Sequence, residues 1–502
     1  MKYQITLLLS TIISLIQSEL LFVLEHFRHG ATGPSNHLDS NGKDLMNNTW
    51  NESEIDELTP IGTRMQYILG LHFAKRYERL FSSIYNPKEI YVSSTNDAKT
   101  IQSAIAHTSA FYFNHSEELN ETYINKTYPP AYNITEDLNM NNIIEELGSD
   151  PLPGKFQTIP VHIFHPFDHD FLLQELNGDC LPVEETRESN LDTPELKEII
   201  DNFNKNYSDI WNFSQQSQKK LSFEQISLIC DDFFVNDVNN KDLSSLNEIL
   251  KNNSIELSDF SSSCKDFLSA GLFNYTFNLN QRYFTLVTQS PPMKKMLKYM
   301  DKRRDEFIQS CAGQIHTNDI DYTKPKIVIW SGLNSTVAGT QMFFNQLNTQ
   351  LNELKKSNTT TFDKEYEYIM EYPTYASNIF IEFHWNEADA AKCSMAQMND
   401  PNNTEQYNHC FYVQYLINGK SYASYNYEHF KQAFERIVVD NDVVDNYCNF
   451  KFVKKNDDTF LIVCIVFVAI ILIGCLCSSV YFYNGIRKTE NKRSIIGPLN
   501  VT

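Results

Sequence analysis

Residues 20–30 read Leu20-Leu21-Phe22-Val23-Leu24-Glu25-His26-Phe27-Arg28-His29-Gly30, and this stretch decides the fold. A continuous apolar run that ends in a polar loop is the pattern of a parallel strand buried on both faces. Glu89-Ile90-Tyr91-Val92-Ser93-Ser94 and Lys326-Ile327-Val328-Ile329-Trp330-Ser331 repeat it. Helical patterns follow each strand. Thr59-Pro60 opens one from Leu58 to about Leu80, with Met65, Ile68, Leu69, Phe73 and Ala74 at helical spacing. Lys99 to Phe113 and Val337 to Leu354 are the others. Strand, loop and helix in alternation predict an α/β fold, a central, mainly parallel sheet flanked by helices. Residues 378–383 and 409–415 read as strands of an antiparallel extension. Ligands of such sheets sit at the carboxyl ends of the parallel strands.

The chain has 502 residues, 21% charged and 42% apolar, with a net charge of -21. That acidity argues against a nucleic-acid partner, which needs a basic face. Residues 1–18, an apolar run after Lys2, read as a signal peptide. Residues 460–483 carry no charge and are long enough to cross a bilayer, so a C-terminal transmembrane helix with a cytoplasmic tail over 484–502 is expected. Residues 19–165 and 321–450 are expected to form the α/β core. Residues 166–320, helical in periodicity at Pro194 to Trp211 and Met293 to Gln314, are expected to form a helical cap inserted over it. Sequons such as those at Asn47, Asn120 and Asn274 agree with an exported glycoprotein. Cys180, Cys230, Cys264, Cys311, Cys393, Cys410 and Cys448 lie before residue 460, an odd number for pairing. Proximity suggests Cys393 with Cys410. Cys230 with Cys264 is the weaker pair and leaves Cys311 free. No Cys/His spacing points to a metal, and no cofactor is expected.

The chemistry concentrates in Phe27-Arg28-His29-Gly30-Ala31-Thr32-Gly33-Pro34, directly after the first strand. Arg offers a planar fork for phosphate oxygens, His can attack phosphorus, and Gly lets backbone come close. Further segments keep the same order and spacing as one family: Leu58-Thr59-Pro60-Ile61-Gly62 with Gln66, Ser94-Thr95 with Lys99-Thr100 and Ser103-Ala104, Tyr128-Pro129-Pro130, Ile159-Pro160-Val161-His162, and Pro373-Thr374-Tyr375-Ala376-Ser377 with Glu382. Along most of its length the chain resembles the histidine acid phosphatases.

The resemblance implies a phosphate monoester substrate, His29 as the nucleophile that becomes phosphohistidine, and Arg28 as a phosphate ligand. Thr32 and Lys99 stand where the family has two further phosphate-binding arginines. Leu333-Asn334 stands where it has His-Asp, the phosphate-binding His and the general acid, so activity is expected to be impaired. Glu25, His26, Asp97 and Glu387 are candidate substitute proton donors. The alternative is an inactive member that binds a phosphorylated or anionic ligand, or a protein partner, at the membrane surface. The resemblance also implies a Cys180–Cys448 link, a possible homodimer, and a lysosomal, endosomal or plasma-membrane location in the secretory pathway.

Overall fold

The computed structural model describes residues 18–35, 44, 46, 48–112, 118–120, 140–163, 189–208, 220–276, 282–313, 325–357, 366–386 and 390–443. Seven strands make one sheet: β1 (Ser18–Arg28), β2 (Ile90–Ser94), β3 (Val161–Ile163), β4 (Ile327–Gly332), β5 (Asn378–Asn386), β6 (Phe411–Ile417) and β7 (Lys420–Asn426). Their order is β3-β2-β4-β1-β5-β6-β7. The first four in that order pair in parallel, and β1–β5, β5–β6 and β6–β7 are antiparallel. The sheet is therefore mixed and not mainly parallel. Asn418 and Gly419, both at positive φ, make the tight turn that joins β6 to β7 and extends the antiparallel half beyond the two strands expected there.

The apolar run of β1 is continuous because both of its faces are covered. Phe22 and Leu24 point into a cluster with Met293, Trp330 and Phe344, while Val23 and Phe27 point into one with Phe73, Val92 and Phe380. The helices in chain order are α1 (Pro60–Arg76), α2 (Ala98–Thr108), α3 (Met140–Leu147), α4 (Pro194–Tyr207), α5 (Phe223–Val238), α6 (Ser244–Asn252), α7 (Leu257–Ala270), α8 (Arg282–Cys311), α9 (Asn334–Ser357) and α10 (Tyr427–Ile437). Thr59 caps α1 by accepting from the Gly62 amide, and Pro60 fits its first turn. From α1 and the residue after it, Phe73 and Tyr77 reach one face of the sheet, and α8, α9 and α10 supply Met296, Phe343 and Phe434 to the other.

A third apolar cluster stands apart. It joins Phe203 of α4, Ile229 and Phe233 of α5, Leu250 of α6, and Phe260 and Phe267 of α7. The Cys230–Cys264 disulfide ties α5 to α7 inside it, Cys393–Cys410 is also formed, and Cys311 is free. Cys180 and Cys448 lie outside the described residues.

The expected transmembrane helix needs correction. Among the described residues no helix is long and apolar enough to cross a membrane, and residues 460–483, like residues 1–17, lie outside them.

The Cys230–Cys264 bond closes a loop with a sequence separation of 34, long enough for the entropy it removes from the unfolded chain to be worth about 3–4 kcal/mol. The double variant Cys230→Ala/Cys264→Ala should therefore melt at a clearly lower temperature under non-reducing conditions. An unchanged melting curve would show that the link does not stabilise the α5–α7 cluster.

Candidate active site

Four segments meet at the carboxyl end of the parallel strands. The first is the end of β1. The Arg28 amide donates to the Ser377 carbonyl at 2.9 Å and the His29 amide to the Gly332 carbonyl at 3.0 Å, while the Ala376 amide donates to the His29 carbonyl at 3.1 Å. Gln66, buried in α1, donates its side-chain amide to the Arg28 carbonyl at 2.8 Å. The motif's backbone is thus held from three sides. Its glycine is dictated by contact, because a Cβ on Gly30 would lie 2.3 Å from the Gly62 carbonyl oxygen. Gly30 also donates its amide to Ser103 of α2 at 3.1 Å.

Arg28 and His29 are both buried. Arg28 donates from Nη1 to the Pro373 carbonyl at 2.9 Å, and its guanidinium lies 4.2 Å over the ring of Tyr375. Its Nε is buried without a partner. The His29 Nδ1 is 2.8 Å from the Gly30 carbonyl. A carbonyl can only accept, so Nδ1 carries the proton and Nε2 carries the lone pair. Burial, then the charges of Arg28 and Lys99, hold the His29 pKa well below its ordinary value, outweighing the Gly30 bond. The imidazole is neutral.

The other expected residues fall nearby in different roles. Thr32 is buried; its carbonyl accepts from Asn239 at 2.9 Å and its side chain bonds that of Tyr375. Lys99 pairs with Asp56 at 2.6 Å. Leu333 is buried at the end of β4, and Asn334 opens α9, its side-chain oxygen accepting from the Ser335 amide at 2.8 Å.

Three of the four candidate proton donors sit among the described residues. Glu25 is fully buried, 3.0 Å from His107 and accepting from Asn378 at 2.7 Å. His26 bonds Thr340 and Thr336 through its two ring nitrogens, and burial lowers its pKa to about 3. Asp97 immediately precedes α2 without a side-chain capping bond. Glu387 lies outside the described residues.

Two residues at the site carry no mark in the sequence. Asp56, at a left-handed φ of 55°, holds Lys99. Asp231 of α5 lines a cavity of about 280 Å³ that opens on Arg28 and is walled by Phe234, Lys265, Tyr372 and Tyr375. Burial, and next the charge of Asp231, push the Tyr375 phenol well above its ordinary range. Neither aspartate is near the motif in sequence, and only the fold brings them to it. Among the described residues one group has metal-ligand spacing, Cys393, His409 and Cys410, but its two sulfurs are bonded to each other.

The described residues thus form a mixed α/β sheet with a buried Arg-His pair at its carboxyl edge. The family described as histidine phosphatase superfamily (branch 2) matches residues 10–418, and the chain belongs to it. Human prostatic acid phosphatase is 30% identical over 100 residues, 20% of this chain and 25% of that protein. Human testicular acid phosphatase is 33% identical over 101 residues, 20% and 23% respectively. The chain thus spans about a quarter of the length of the curated relatives it matches. A structure of Hafnia alvei phytase in complex with myo-inositol hexakis sulphate aligns with a TM-score of 0.48 at 11% identity, covering 84% of this chain and 98% of that one.

The buried neutral His26 generates a prediction. Its folded pKa of about 3 lies below the ordinary value of 6.5, so unfolding takes up a proton below pH 6.5. Stability is full above that pH and falls as the pH drops towards 3. At about 1.36 kcal/mol per unit, His26 should cost about 2–3 kcal/mol between pH 6.5 and pH 4.5. Denaturant titrations of wild type and His26→Gln over that range should show a shallower pH slope in the variant; parallel slopes would refute the assignment.

Proposed function

We propose that the chain is a phosphomonoesterase that works through a phosphohistidine on His29. One observation carries this reading: the Gly30 carbonyl fixes the proton on Nδ1, so a neutral imidazole presents its Nε2 lone pair beside Arg28. A buried neutral imidazole is a nucleophile ready at acid pH, where an ordinary histidine is protonated and inert. Arg28 supplies the fork for the phosphoryl oxygens; its named partners, a carbonyl and an aromatic face, leave its charge available for an anion. Lys99 adds charge close enough to act on His29, weakened by its pairing with Asp56.

In the first half-reaction Nε2 attacks phosphorus and the ester oxygen leaves. In the second, water attacks the phosphohistidine and releases inorganic phosphate. Leu333 and Asn334 offer no proton to the leaving oxygen, and a positioned general acid is worth about 10²- to 10⁴-fold. Aryl phosphates, whose leaving groups need little protonation, should therefore be turned over better than alkyl phosphates. The pairing of Lys99 with Asp56 and the engagement of Thr32 by Tyr375 favour a second reading, a member that binds a phosphorylated ligand without turnover. The two disulfides support export through the secretory pathway, since such bonds persist in oxidising compartments.

The test uses the purified chain and 4-nitrophenyl phosphate at acid pH. Rapid alkaline quenching after mixing with radiolabelled ester should trap label on His29. His29→Ala should lose both label and turnover, by at least about 10³-fold. Full turnover in His29→Ala would exclude the phosphohistidine route. Phosphate binding without any turnover by the wild type would establish the binding reading.

A further inference from the structure

The turn from β4 into α9 carries the carbonyl that receives the His29 amide, at Gly332. The side chain of His26, two residues before Arg28 on β1, reaches this turn through α9. The His26 ring is fully buried, with the Trp330 ring edge-on to it at 5.8 Å. Its Nδ1 lies 2.9 Å from the Thr340 hydroxyl and its Nε2 3.2 Å from the Thr336 hydroxyl. The Thr336 hydroxyl in turn lies 2.8 Å from the Leu333 carbonyl.

One carbonyl fixes the direction of every bond in this series. The Leu333 oxygen can only accept, so Thr336 donates its single hydroxyl proton to it. Thr336 must then accept from His26, and Nε2 carries the ring proton. Burial keeps the ring neutral, so Nδ1 holds a lone pair and accepts from Thr340. Thr340, His26, Thr336 and Leu333 thus form one relay, donor to acceptor throughout. It closes tightly on the turn: a Cβ on Gly332 would lie 2.1 Å from the Thr336 hydroxyl and 3.1 Å from His26 Nε2.

We propose that His26 is a positioning residue for His29: acting through Thr336, it fixes the turn whose Gly332 carbonyl holds the His29 amide. The inference rests on the phosphohistidine reading and adds to it the residue that aligns the nucleophile from the α9 side. Arg28 is held separately, by the Pro373 carbonyl and the Tyr375 ring. Loss of the relay should therefore disturb the attack of His29 on phosphorus and leave the grip on phosphate nearly unchanged.

The experiment compares wild type, His26→Leu, His26→Gln, Thr336→Val and the double variant His26→Leu/Thr336→Val. It measures kcat on 4-nitrophenyl phosphate, the affinity for inorganic phosphate by calorimetry, and alkali-stable label on His29. Leucine offers neither donor nor acceptor, and glutamine offers both. His26→Leu and Thr336→Val should each lower kcat by about 10- to 10²-fold, the cost of a slightly misplaced reacting group, with phosphate affinity kept within a few-fold. The double variant should be no slower than the slower single variant, because the two residues act as one unit. His26→Gln should recover most of kcat. Thr336→Val removes only a hydroxyl and carries the test alone if His26→Leu does not fold. Equal losses in kcat and phosphate affinity would reduce His26 to a structural residue. Unchanged kcat in Thr336→Val, or losses that add in the double variant, would overturn the relay. With label on wild-type His29, each of these results leaves the phosphohistidine reading standing. Absence of that label from the wild type would instead sink the phosphohistidine reading, and this one with it.

Discussion

The structure depends on how closely two stretches of backbone approach at Gly30 and Gly62. A methyl group on Gly62 would fall 2.1 Å from the Ala31 carbonyl oxygen, and one on Gly30 is excluded in the same way. This contact brings the first turn of α1 onto the segment leaving β1. Thr59 then donates to the Ala31 carbonyl from both its amide and its hydroxyl, and Gln66 reaches the Arg28 carbonyl. The backbone on either side of His29 is fixed before any side chain is considered. Gly33 repeats the device against the Glu54 carbonyl, 2.0 Å from where its Cβ would stand, and so brings the segment that bears Asp56 beside Lys99.

Electrostatics follow from that closure. Taking an imidazole and a guanidinium out of water together is costly, and the fold offsets the cost unequally. His29 is kept neutral. Arg28 keeps its charge, supported by a carbonyl, a ring face and the lip of an open cavity. A dianion entering there meets a cation whose desolvation has already been met by folding, which is the condition under which a charge-assisted bond is strongest. Lys99 is the contrast, a cation with its own carboxylate, Asp56.

The α/β half was legible because β1, β2 and β4 are buried on both faces and so read as unbroken apolar runs; the helices that follow them announced themselves through Thr59-Pro60 and the periodic apolar residues. The Arg28–His29 pair was legible for the same reason, since a parallel strand delivers its last residues to the ligand edge. The antiparallel half was undercounted, because Lys420–Asn426 alternates buried and exposed residues too weakly to stand out. The α8 helix, read as part of an insertion, packs Met293 and Met300 on the sheet; its periodicity says that it has an apolar face and not what that face meets. Asp56 and Asp231 could not be read at all. Nothing local distinguishes them from the many other acidic residues of this chain, and only long-range packing brings them to the motif.

Thr32 shows how such a site becomes committed to its present form. Where the family resemblance puts an arginine, this chain has a short side chain bonded to Tyr375, and its carbonyl receives Asn239 from the end of α5. The same helix is drawn down by Asn236, which donates to the buried Asp44 carboxylate at 2.6 Å. Thr32 is thus buried against that ring and the end of that helix. A longer side chain at position 32 would meet both the Tyr375 ring and the end of α5, so the identity of this one residue and the seating of the helical roof over the motif are a single, shared constraint.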